Sequence, residues 1–115
     1  MRADIVAQQQ ASQPFVSPSG LVEIPMSPVS DVTAFRAPQW KLDQFLEAIR
    51  AAVSWTIDRR AVFDFLAHPS CLYVTDPEFR TIDLICDLVQ KSPAKAEFAN
   101  LDRIARRVAE STKKK

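Results

Sequence analysis

The sequence predicts a small α/β domain, and three observations carry that expectation. Apolar runs of strand length alternate with stretches of helical periodicity in the order strand, helix, strand, helix, short strand, helix. That order produces right-handed βαβ units and a parallel sheet. The chain has 115 residues, 47% of them hydrophobic and 25% charged, which is ordinary for one globular domain with a modest core. Helix-start signals also sit where the alternation needs them, most densely at Thr75, Asp76, Pro77 and Glu78.

Residues 1–19 contain three consecutive glutamines, several serines and two prolines around the apolar island of Phe15 and Val16, and read as a poorly ordered leader. The domain is expected over 20–110. Leu21 to Met26 reads as a short strand, and Ser27 to Pro38 has the Pro, Ser and Asp content of an extended loop. From Trp40 the period becomes helical. Leu42, Phe45, Leu46, Ile49, Val53 and Ile57 fall on one stripe.

Ala61 to Ala67 then has the length and composition of a buried strand, which Pro69 must end. Thr75 and Glu78 stand at capping-box spacing, Asp76 is an alternative cap, and Pro77 suits a first turn. Phe79, Ile82, Ile85, Cys86 and Val89 form the inner stripe of the helix that follows, ending near Lys91. Ala96 to Ala99 reads as a short strand, Asn100 as the cap of a last helix through Leu101, Ile104, Ala105 and Val108, and 111–115 as a frayed basic tail. Three parallel strands with helices on one side would leave the other sheet face uncovered, whereas parallel sheets are normally buried on both.

Composition excludes several function classes. A net charge of +1 predicts no strong pull toward nucleic acid, anionic membrane or acidic substrate. The basic end formed by Arg103, Arg106, Arg107 and Lys113 to Lys115 suits a helix C-terminus. Cys71 and Cys86 have no disulfide-framework or zinc-site spacing and read as buried thiols. With one glycine, a Gly-rich nucleotide-binding loop is excluded. There is no apolar run of spanning length and no signal-peptide core at the start, so the chain is expected in the cytoplasm.

His68 is the only histidine. Side chains alternate across a strand, so Val62, Asp64, Leu66 and His68 share one face while Ala61, Phe63, Phe65 and Ala67 share the other, which a helix would cover. A face carrying a carboxylate and an imidazole at the end of a strand suits a strand lining a pocket. An imidazole exchanges protons near neutrality, so His68 is a candidate general acid with Leu66 as an apolar wall beside it. The alternative is a ring that hydrogen-bonds a backbone group at a strand end. Asp64 either orients that ring or is a hydrogen-bonded structural carboxylate. Trp40, at a loop end, is a candidate ligand contact; Trp55, inside a helix, reads as core.

The segment from "GLVEIPMSPVSD" through "RAVFDFLAHPSCLYVTDPEF" to "FANLDRIARR" resembles the C-terminal part of the polysaccharide deacetylases, the NodB-homology or carbohydrate esterase family 4 group, over roughly residues 20–108. The resemblance implies a distorted (β/α) barrel, of which this chain would hold the last three β/α units, incomplete on their own. It implies metal-dependent removal of acyl groups from amino sugars, a carbohydrate substrate and a divalent metal for the full-length family. A Leu-x-His motif late in that barrel matches Leu66 and His68, the leucine facing the acyl methyl and the histidine acting as general acid toward the leaving amine. Asp31 and Trp40 fall in the region of an aspartate and a tryptophan that surround this acid.

The family's metal site uses an aspartate pair and a His-x-x-x-His motif, which a chain with one histidine does not supply. No metal ligand is therefore assigned here, and the chain is expected to be a truncated gene product, a split-gene remnant or the result of a mispredicted start, inactive alone, with self-association through open sheet edges as an accessible fate. The alternative expectation is a self-contained α/β protein-interaction module without chemistry.

Overall fold

The computed structural model describes residues 2–30, 34, 40–92 and 95–113. Among them, helix makes up 57%, and the elements in chain order are α1 (Arg2–Ala11), β1 (Phe15–Val16), β2 (Val22–Glu23), α2 (Leu42–Arg59), α3 (Pro69–Thr75), α4 (Arg80–Gln90) and α5 (Leu101–Lys113). The expected parallel sheet is not formed. The only sheet among the described residues is the antiparallel pair β1–β2, in which Phe15 faces Glu23 and Val16 faces Val22. Gly20, at φ 91 in the connection, supplies the left-handed backbone that this turn requires.

Helix α2 is the centre of the molecule and forms where the apolar stripe placed it. Phe45, Ile49 and Val53 are buried, and Ala48, Ala51 and Ala52 widen the buried face so that α1 and α4 can both pack on it. The Gln44 side chain accepts the Lys41 N–H at 2.9 Å, one half of a capping box. At the other end Arg60 takes the left-handed conformation, φ 52. Its N–H reaches Ile57 O at 3.2 Å and the Ala61 N–H reaches Thr56 O at 2.9 Å, the two bonds of a Schellman closure in which Arg60 stands where glycine is usual.

The segment expected to be a leader holds α1 and β1. Ile5 is buried, and Gln9 is fully buried. Residues 61–67, expected as a buried strand, have no ladder partner among the described residues. Their face assignment is nevertheless as the alternation predicts: Phe63, Phe65 and Ala67 pack against the core. The Phe63 and Phe65 rings stack with centroids 5.9 Å apart, close to the spacing of same-face neighbours on an extended chain. The extended stretch leads straight into α3, a short helix that no periodic stripe marks, with Pro69 in its first turn.

Asp76 joins α3 to α4. Its N–H closes α3 on Leu72 O at 2.7 Å, and its two carboxylate oxygens each accept one of the first amides of α4, from Arg80 and Thr81, both at 2.8 Å. The helix expected from the Thr75–Glu78 signals therefore begins later, at Arg80, with Asp76 as its carboxylate cap. Residues 96–99 form no strand. Asn100 caps α5 as expected, its Oδ1 accepting the Arg103 N–H at 2.8 Å. The fold is mostly helical with one short hairpin, and the expectation of three β/α units of a barrel is overturned. The physical reason lies in what each element needs: a helix closes its backbone bonds internally, whereas a parallel strand requires flanking strands to close them.

Candidate functional site

The site expected from the sequence centres on the far end of the 61–68 stretch. Its inner side is held down by Phe63 and Phe65, the latter 6.4 Å from the Phe45 ring of α2. Its outer side carries Leu66, 40% exposed, and His68, also exposed. His68 is the N-cap residue of α3, with φ −110 and ψ 117, and its carbonyl accepts the Leu72 N–H at 2.8 Å. The structure thus places Leu66 and His68 together on the outer side of one extended stretch.

The other predicted residues are placed differently. Trp40 is half-buried against the core at the entrance to α2, and its backbone N–H reaches Ala34 O at 2.8 Å. Asp31 lies outside the described residues. Trp55 is half-buried on α2, and Cys71 and Cys86 are half-buried free thiols. Asp64 is half-buried on the same side as Leu66, and burial pushes its carboxyl above the ordinary aspartate value.

The grip on this stretch comes from residues that sequence reasoning placed in a disordered leader. The Gln9 and Gln13 side-chain amides both donate to Val62 O at 3.0 Å, and Gln13 Oε1 accepts the Val62 N–H at 2.8 Å. Gln9 is oriented in turn by Ser27, whose hydroxyl donates to Gln9 Oε1 at 2.7 Å, while the Ser27 N–H reaches Asp64 O at 2.8 Å. Two glutamine amides, one from the last turn of α1 and one just beyond it, thereby occupy the place of a neighbouring strand. No periodic signal marked the pair beforehand, since Gln9 sits in the last turn of α1 and Gln13 lies beyond its end.

An open cavity of about 1020 Å³ lies elsewhere, between the C-terminal end of α2, α5 and the loop before α5, with Val53, Ile57, Phe63, Ile85 and Phe98 among its walls. Glu97 in its wall is bound by Arg103 at 3.2 Å and Arg107 at 2.7 Å. Neither Leu66 nor His68 lines this cavity.

The residues present do not fit the divalent metal of the resembled family. The sequence holds a single histidine, and among the described residues no three His, Cys, Asp or Glu side chains converge on a common point. Among the described residues, no helix is long and apolar enough to cross a membrane. No protein-family model, no curated protein and no solved structure matches this chain.

Proposed function

We propose that this chain supplies the proton-donating part of a polysaccharide-deacetylase-like hydrolase acting on the carbon–nitrogen bond of acylated amino sugars in the cytoplasm. The observation that supports the reading is the shared exposure of Leu66 and His68 on a stretch whose opposite side is anchored by Phe63 and Phe65 on α2. In that arrangement His68 gives a proton to the departing amine nitrogen as the carbon–nitrogen bond breaks, and Leu66 shields the acyl methyl from water. The part of the site that activates water is contributed by other polypeptide carrying an aspartate pair and a His-x-x-x-His motif, and the 115-residue chain alone is inactive.

The test is complementation. Mixed with a polypeptide bearing those metal-binding motifs, the chain is expected to support release of acetate from N-acetylated chitooligosaccharide. His68→Ala is expected to lower that release by about 10²- to 10⁴-fold and Leu66→Ala by about tenfold. Metal-dependent release by the unmixed chain would overturn the division of the site, and a mixture indifferent to His68→Ala would overturn the assignment of the acid.

A second reading, a non-catalytic interaction module, is favoured by one observation: Tyr73 and Val74 on α3 are 60% and 81% exposed, an apolar pair beside the same stretch. Cooperative unfolding of the isolated chain, together with hydrophobic-dye binding that Val74→Asp removes, would favour this reading over the first.

A further inference from the structure

The two edges of residues 61–67 are bonded to different extents. On an extended chain the N–H and C=O of one residue point to the same edge, and successive residues alternate. On the edge of Val62 and Asp64, both backbone groups of Val62 and the Asp64 carbonyl are taken by Gln9, Gln13 and Ser27. On the other edge, the backbone N–H and C=O groups of Phe63, Phe65 and Ala67 make no hydrogen bond among the described residues. Three consecutive same-edge residues with unsatisfied donors and acceptors, fixed in place by packed aromatic rings, form a template for strand addition.

We infer that this edge pairs with the same edge of a second copy of the chain, antiparallel about a two-fold axis with Phe65 opposite Phe65. The sequence is self-complementary in that register. Phe63 then faces the partner copy's Ala67 and Phe65 faces its equivalent, and each of these pairs exchanges both N–H···O bonds. Asp64 faces Leu66, so no like charges oppose one another. The ladder stops at both ends by its own chemistry. The next bonded pair would be Ala61 with Pro69, but the Ala61 N–H is already held by Thr56 O at 2.9 Å, and proline has no N–H to give. The two-fold makes the contact closed, giving a dimer and not a filament.

Leu66 is exposed, so changing it tests the pairing without opening the core. The measurement is sedimentation equilibrium of the full chain across the micromolar range, with folding of each variant checked by circular dichroism. The unmodified chain is expected to dimerise. Leu66→Lys sets an ammonium opposite Asp64 of the other copy, and Leu66→Asp sets a carboxylate there, twice per dimer. Leu66→Lys is expected to tighten the dimer and Leu66→Asp to weaken it, each by about two- to thirtyfold. A chain that stays monomeric throughout overturns the inference, and so does a dimer whose affinity moves the same way, or not at all, with both substitutions.

Discussion

Helix α2 and the 61–67 stretch follow one another along the chain, and the sequence marks both strongly, one by period and the other by composition. The helix formed where it was expected; the strand did not. Every interior amide of α2 finds its carbonyl within the same eighteen-residue element, so an apolar stripe was enough to specify it. The stretch of seven has equally clear side-chain instructions and obeys them, with Phe63, Phe65 and Ala67 turned to the core. Its backbone, however, depends on whichever groups arrive from outside. Here those groups are two glutamine amides and the Ser27 N–H. Side-chain patterning decides which way a strand faces, and tertiary structure decides whether it becomes one.

The largest test of this contrast is Phe45→Ala. Phe45 is fully buried on α2 and touches both the helix core and the Phe65 ring, so its truncation is expected to cost about 3–5 kcal/mol, read as a lowered urea midpoint. If Phe65→Ala cost as much, the helix would not be the dominant member of the pair, since Phe65 is only half-buried.

Gln9→Ala addresses the borrowed ladder. It leaves the Ser27 hydroxyl without its acceptor and removes one of the two donors on Val62 O, with an expected loss of about 1–3 kcal/mol. Gln13→Ala should be milder in stability but should accelerate hydrogen exchange at the Val62 amide, which Gln13 Oε1 holds. Unchanged exchange at Val62 would mean that the glutamines do not substitute for a strand. Asp76→Ala, which frees two amides at the start of α4, is expected to cost about 1–2 kcal/mol, with the loss of helix detected as reduced ellipticity.

Two smaller effects sharpen the comparison at its boundary. Arg60→Gly relieves the left-handed residue that separates helix from stretch and should raise stability by about 0.5–1 kcal/mol, the relief exceeding the added freedom of the unfolded chain. Asp64 gives a pH dependence. Its folded carboxyl value lies above the unfolded one because burial disfavours the charge, so the folded state holds the proton more tightly. Ionisation therefore subtracts stability as pH rises through the ordinary aspartate value and beyond, and reprotonation restores it on acidification. Asp64→Asn should be slightly more stable than the unmodified chain at neutral pH, with the difference vanishing in acid, as measured by urea titrations at both.

The facing of the 61–68 stretch was legible. The period-two alternation put Leu66 and His68 on the side away from the helix, and the structure leaves both exposed. Trp40 was not legible as packing, because a loop-end tryptophan gives no periodic context, and only the folded chain shows its ring against the core. The residues that grip the site were missed because a glutamine-rich start looks like solvated chain until a buried partner exists for its amides.

The amino-acid sequence by itself determined α2, the cap at Asn100, the carboxylate at Asp76 and the facing of residues 61–67, since each depends on neighbours within a turn or two of helix or a few residues of strand. Only the tertiary structure decided that α1 exists as a packed helix, that Val62 is served by side chains from 49 and 53 residues away, and that one edge of the central stretch is left open. Those outcomes follow from long-range hydrogen bonding, in which an acceptor takes any well-placed donor and no local pattern of residues records which donor will come.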